Sequence, residues 1–159
     1  MMSSEPPTLI GAIESQDKTG QITRGVRRWC RERDWPNLAE VSLPNSRRAN
    51  VMALEAGGSI IIIEVKSSIP DFRSDQKWPE YRDFCDRFYF AVPGDFPGDL
   101  IPDDCGLIRA DAYGAVVERE APEHKLAAAR RKMLTGRFAR LAALRLQMLE
   151  DPWAEPQGF

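Results

Sequence analysis

Histidine occurs once in this 159-residue chain, at His124, and cysteine only three times, at Cys30, Cys85 and Cys105. The cysteines are odd in number, widely spaced and without a C-x-x-C pair, which argues against both a disulfide framework and a thiolate zinc site. His124 is expected at the surface rather than on a metal. No apolar run approaches the roughly 20 residues of a membrane-spanning helix, and Met1 to Pro7 lack the basic-then-apolar pattern of a signal peptide. A cytoplasmic protein with no membrane partner is therefore expected. An excess of positive charge is missing too, since 22 Lys and Arg face 24 Asp and Glu for a formal net charge of -2. Any contact with nucleic acid must come from local basic patches rather than from a global field.

With 43% hydrophobic and 29% charged residues, the chain is long and apolar enough to bury one core. A single domain is expected over 21–150, between a polar, mobile segment at 1–20 and a tail at 151–159 that carries Pro152, Pro156 and Gly158. Ile22, Val26, Trp29, Cys30 and Arg33 fall at helical spacing and predict a helix over 22–34. Leu38–Leu43 reads as a strand, Pro44-Asn45 as its turn, and 47–55 and 59–66 as a hairpin. A helix is predicted from Trp78 to Cys85, a strand over Arg87–Val92, and a hairpin of Gly106–Ala112 with Ala115–Glu120 around Tyr113-Gly114. The region 123–150 reads as helix, with Gly136 a potential break. Loop 93–105, rich in acids, Pro and Gly, either rims a site or simply connects.

The first hairpin carries the chemistry. Ile60-Ile61-Ile62-Ile63 runs into Glu64-Val65-Lys66, so a carboxylate and a lysine share one face at the end of an aliphatic strand. If Ala56-Gly57-Gly58 form a three-residue loop with a glycine in the left-handed conformation, Glu55 pairs with Ser59 and Asn50 lies opposite Glu64. Side chains so placed are close enough to hold one ion, or Glu64 and Lys66 form an ion pair at the strand end.

An acidic strand pair ending in E-x-K resembles the core of the PD-(D/E)XK nuclease superfamily. The wider runs Ser46-Arg47-Arg48-Ala49, Ile63-Glu64-Val65-Lys66-Ser67-Ser68-Ile69-Pro70-Asp71-Phe72-Arg73-Ser74-Asp75-Gln76-Lys77-Trp78-Pro79-Glu80-Tyr81, Cys85–Pro93 and Gly106–Ala115 resemble the MmcB family, whose DNA-repair endonuclease activity is itself an inference. The resemblance implies an α/β fold (α+β in detail) with a restriction-endonuclease-like core. Its central mixed sheet is flanked by helices in the order α-β-β-β-α-β, followed by a further β-hairpin and a C-terminal helix.

It also implies a metal-dependent DNA endonuclease in which Glu64 and Lys66 are catalytic. Mg²⁺ or Mn²⁺ would be held by Glu64, the Val65 backbone carbonyl and the Asn50 position, with Glu40 or Glu32 as further candidates. Family members usually carry Asp where this chain has Asn50, so metal binding is expected to be weakened. Gln76, Lys77, Arg47, Arg48 and Arg28 are the DNA-contact candidates, with Arg24, Arg27 and Arg31 adding to the basic face of the first helix. The same resemblance admits a catalytically degenerate fold acting as a DNA- or protein-binding scaffold in repair. An interaction module with a purely structural Glu64–Lys66 pair stands apart from both. The broad apolar distribution of the last helical region leaves room for a homodimer contact or another repair protein.

Overall fold

The computed structural model describes residues 9–152, with side chains from Asp17 onward; the expected mobile residues 1–8 and most of the tail, 153–159, lie outside the described residues. Helix α1 (Leu9–Glu32) leads into strands β1 (Asn37–Ser42), β2 (Arg48–Leu54) and β3 (Ile60–Val65). A short helix α2 (Ile69–Ser74) and a 3₁₀ segment (Trp78–Phe84) precede β4 (Arg87–Val92). Strands β5 (Gly106–Ala110) and β6 (Ala115–Arg119) and helix α3 (Ala128–Glu150) complete the chain. All six strands form one mixed sheet in sequence order. β3, β4 and β5 run parallel, with antiparallel pairs at both edges.

The sheet separates two cores. Ile61, Ile63, Val65, Val51 and Tyr89 pack under α1 against Ile22, Val26, Trp29 and Cys30. Ile60, Ile62, Met52, Phe88 and Phe90 face the other way, toward Phe72 of α2, Tyr81 of the 3₁₀ segment, and Leu134 and Phe138 of α3. β3 is buried on both faces, so its sequence is an unbroken apolar run until Glu64. Helix α1 approaches the β5–β6 turn so closely that a Cβ on Gly25 would sit 1.8 Å from the Asp111 carbonyl oxygen.

Several expectations need correction. The helix predicted over 22–34 begins at Leu9 and so takes in residues 9–20, for which no helix was predicted. The second predicted helix is a 3₁₀ segment, preceded by the unpredicted α2. Ser68 caps α2 by accepting from the Asp71 N–H, and the Asp71 carboxylate accepts from the Ser67 N–H. Gly136 does not break α3, because an exposed glycine within a helix costs only about 1 kcal/mol. Loop 93–105 is pinned to the sheet: Arg109 donates to the carbonyls of Pro93, Gly94 and Phe96, and Arg119 to those of Ile101, Pro102 and Cys105.

Candidate functional site

The hairpin register is the expected one. Glu55 donates its N–H to the Ser59 carbonyl at 3.0 Å, and Gly58 takes the left-handed conformation at φ 93°. Val51 pairs with Ile63, and the same register carried one step on sets Asn50 opposite Glu64.

At that step the ladder changes character, with side chains replacing backbone groups. The Glu64 carboxylate accepts the Asn50 N–H at 3.1 Å, and the Asn50 amide oxygen accepts the Val65 N–H at 2.8 Å. The Val65 donor fixes which end of the amide is oxygen, so the Asn50 NH₂ points to the Glu40 carboxylate at 3.5 Å. On the far side, Ala39 pairs with Val51 and Val41 with Ala49, which puts Glu40 opposite Asn50. Glu40, Asn50 and Glu64 thus form one row across three strands. Glu40 has φ 53°, in the left-handed region that a non-glycine residue adopts at a cost of about 1–3 kcal/mol. Both β1 and β2 switch faces there: Leu38 and Met52 point to the α3 side, and so do Val41 and Ala49.

Glu64 and Lys66 share the α3-side face, each about 5% exposed. Burial pushes the Glu64 carboxyl up to about 7, against the lowering pull of the Asn50 N–H and the Lys66 charge. The Lys66 ammonium lies 3.6 Å from Asp75, between α2 and the 3₁₀ segment. Burial alone would raise the Asp75 carboxyl, but the Lys77 N–H and the Lys66 charge outweigh it and hold it below its ordinary value. Asp75 was not among the residues expected at the site. The S-x-x-D cap at Ser68–Asp71, which starts the short helix that brings the chain back over β3, is the signal that could have placed it. Tyr81 donates its hydroxyl to the Arg48 carbonyl, and burial, with the Glu64 and Asp75 charges, raises its pKa.

Other expected residues fall elsewhere. Glu32 is exposed on α1, which covers the opposite face of the sheet, so it cannot join Glu64. Arg28 lies on that helix too. Gln76 donates its amide to the Phe72 carbonyl, with Arg73 at the edge of range, and so closes the end of α2. Lys77 is exposed and contributes its backbone N–H to Asp75. Arg47 is engaged by Glu80 at 2.6 Å and Arg48 by Glu40 at 3.8 Å. Arg48 also lines a groove of about 390 Å³ with Glu40, Ser42, Leu141, Arg137 and Arg145, the last two reaching from α3 to the β1 carbonyls.

A divalent ion of the Mg²⁺ type needs several oxygen ligands in near-octahedral geometry. The residues present do not suit one. The Asn50 oxygen is turned to the Val65 N–H, and its NH₂, a donor, stands where a cation would face Glu40. Among the described residues no three His, Cys, Asp or Glu side chains converge on a common point.

No curated protein matches the chain. A solved structure, the SPO1766 protein of unknown function from Silicibacter pomeroyi, is 40% identical over 99% of both chains, with a TM-score of 0.81. That similarity extends over the whole fold and brings no activity with it. The family model described as DNA repair protein MmcB-like matches residues 6–153, nearly the full length, and the chain belongs to that family.

Proposed function

We propose that this protein acts in DNA repair by binding DNA at a nuclease-shaped site without cleaving it. The observation that carries the reading is Asn50: its backbone N–H donates to the Glu64 carboxylate and its side-chain NH₂ to the Glu40 carboxylate, doing with hydrogen bonds what a cation would do between carboxylates. Arg48, Arg137 and Arg145 border the same row and offer guanidinium groups to backbone phosphates. Glu40 and Glu64 repel a phosphate placed deeper, so DNA is held at the rim.

The second reading, a metal-dependent endonuclease using Mg²⁺ or Mn²⁺ with Glu64, the Val65 carbonyl and Lys66, draws on one feature. Glu64 and Lys66 are buried on one face, a costly placement for two ionisable groups. Single-stranded, duplex and branched DNA, incubated with Mg²⁺, Mn²⁺ or EDTA, separates the two. Binding that is indifferent to EDTA, with no product bands, is expected for the wild type. Metal-dependent products that disappear in Lys66→Ala would establish the endonuclease instead.

A further inference from the structure

On the α1 side of the sheet, remote from the Glu64 row, four arginines stand in a single stripe. Arg24, Arg27, Arg28 and Arg31 are spaced i, i+3, i+4 and i+7 and line a groove of about 560 Å³ with Trp35 and Asn37. None of the four takes part in any of the eleven ion pairs among the described residues. Among the described residues, Asp34 is the one carboxylate on the groove wall.

This arrangement works against the helix. Like charges at i, i+4, here Arg24 with Arg28 and Arg27 with Arg31, each cost roughly 0.2–0.5 kcal/mol. Only Arg31, in the last turn, gains from the helix dipole. In a chain with net charge -2, four uncompensated guanidiniums on one stripe also stand against the overall balance. Asn37 accepts from Arg27 Nε at 2.8 Å and fixes that side chain, which leaves its terminal N–H groups out of that bond. Trp35 is held edge-on against Trp29 at 5.3 Å, giving the groove a rigid apolar wall.

We infer that the α1 groove is a second nucleic-acid surface, separate from the candidate site, which takes the phosphodiester backbone of a strand. From Arg24 to Arg31 the stripe runs about 10 Å along the helix axis. Phosphates of one strand rise about 3.4 Å per nucleotide, so the stripe spans about three of them. Guanidinium groups match phosphate oxygens in a fork geometry, and among the described residues no ion pair has to be broken to engage these four.

The test is a fluorescence-anisotropy titration of a labelled 20-nucleotide single strand and its duplex with the full chain, repeated across a salt series. Arg24→Ala/Arg28→Ala/Arg31→Ala should lower the slope of log affinity against log salt by about 2–3, at roughly 0.7–0.9 for each phosphate no longer neutralised. The matching Arg→Lys triple variant should keep most of the slope, and circular dichroism melting should show both variants folded. An Ala triple variant that folds and binds like wild type would overturn the inference. So would equal affinity of the wild type for polyglutamate or anionic vesicles. Loss of binding only in Arg48→Ala/Arg137→Ala would sink this surface and leave the proposed site standing.

Discussion

Glu64 is a buried carboxyl whose protonation is coupled to folding. Its pKa rises from an ordinary 4.5 to about 7 in the folded chain, so between those values the folded state holds a proton that the unfolded state has released. Stability contributed at this position therefore falls as pH rises from about 4.5 to 7, and the full penalty, roughly 3 kcal/mol, is present above that. Glu64→Gln keeps an oxygen for the Asn50 N–H and removes the charge. It should raise stability at pH 8 by about 1–3 kcal/mol and flatten the slope between pH 5 and 7 in urea melts; an unchanged slope would show that Glu64 titrates normally. Asp86 has the opposite sign. It is fully buried and accepts from the Ile60 and Leu126 N–H groups and from Arg131, which together overcome burial and depress its pKa. Its contribution is present at neutral pH and is lost as pH falls through the depressed value. Asp86→Ala should cost about 3 kcal/mol or more in denaturant unfolding, since two buried donors and a guanidinium lose their partner. Asn50 facing Glu64 was legible in the sequence because a strand alternates and a Gly-Gly turn fixes the count. The Asn50 contact with Glu40 was not, because it depends on a left-handed residue in β1 that no sequence pattern announces.

Elements with one strong local rule were the readable ones. β4 spans the expected Arg87–Val92, and both hairpins form where glycine turns interrupt apolar runs. Where two local rules compete, the pattern misled. The run after Lys66 holds a capped helix, a break at Asp75 and a 3₁₀ segment within 16 residues, and the Trp78-Pro79 start of the last drew the prediction away from the Ser68 cap of the first. Glu32 was expected at the sheet because it borders the apolar stripe of α1, but the stripe buries against the face that Glu64 turns away from. That packing is tight at Gly25, where a methyl group would drive into the Asp111 carbonyl. Gly25→Ala should therefore destabilise by about 1–3 kcal/mol although alanine is the better helix former, and a gain in melting temperature would show that α1 lies looser on the β5–β6 turn.

Across the whole molecule, the small net charge hides a segregated surface. Basic side chains gather in two grooves on opposite faces, one under α1 and one between α3 and β1, while the acids Asp95, Asp99, Asp103 and Asp104 cluster in the loop before β5. Composition could not show this, because it depends on which helix covers which face. No described helix is long and apolar enough to cross a membrane. The C-terminal half of α3 exposes Leu144, Leu146, Met148 and Leu149. The candidate site comes down to the row Glu40–Asn50–Glu64, joined by its own hydrogen bonds. The most direct test is isothermal calorimetry of Mn²⁺ into wild type and Asn50→Asp at pH 8. Wild type should give no binding heat at millimolar metal. Asn50→Asp, which sets three carboxylates in one row, should bind with at least a tenfold gain. Binding of Mn²⁺ by wild type as tight as by Asn50→Asp would contradict a site completed by an amide.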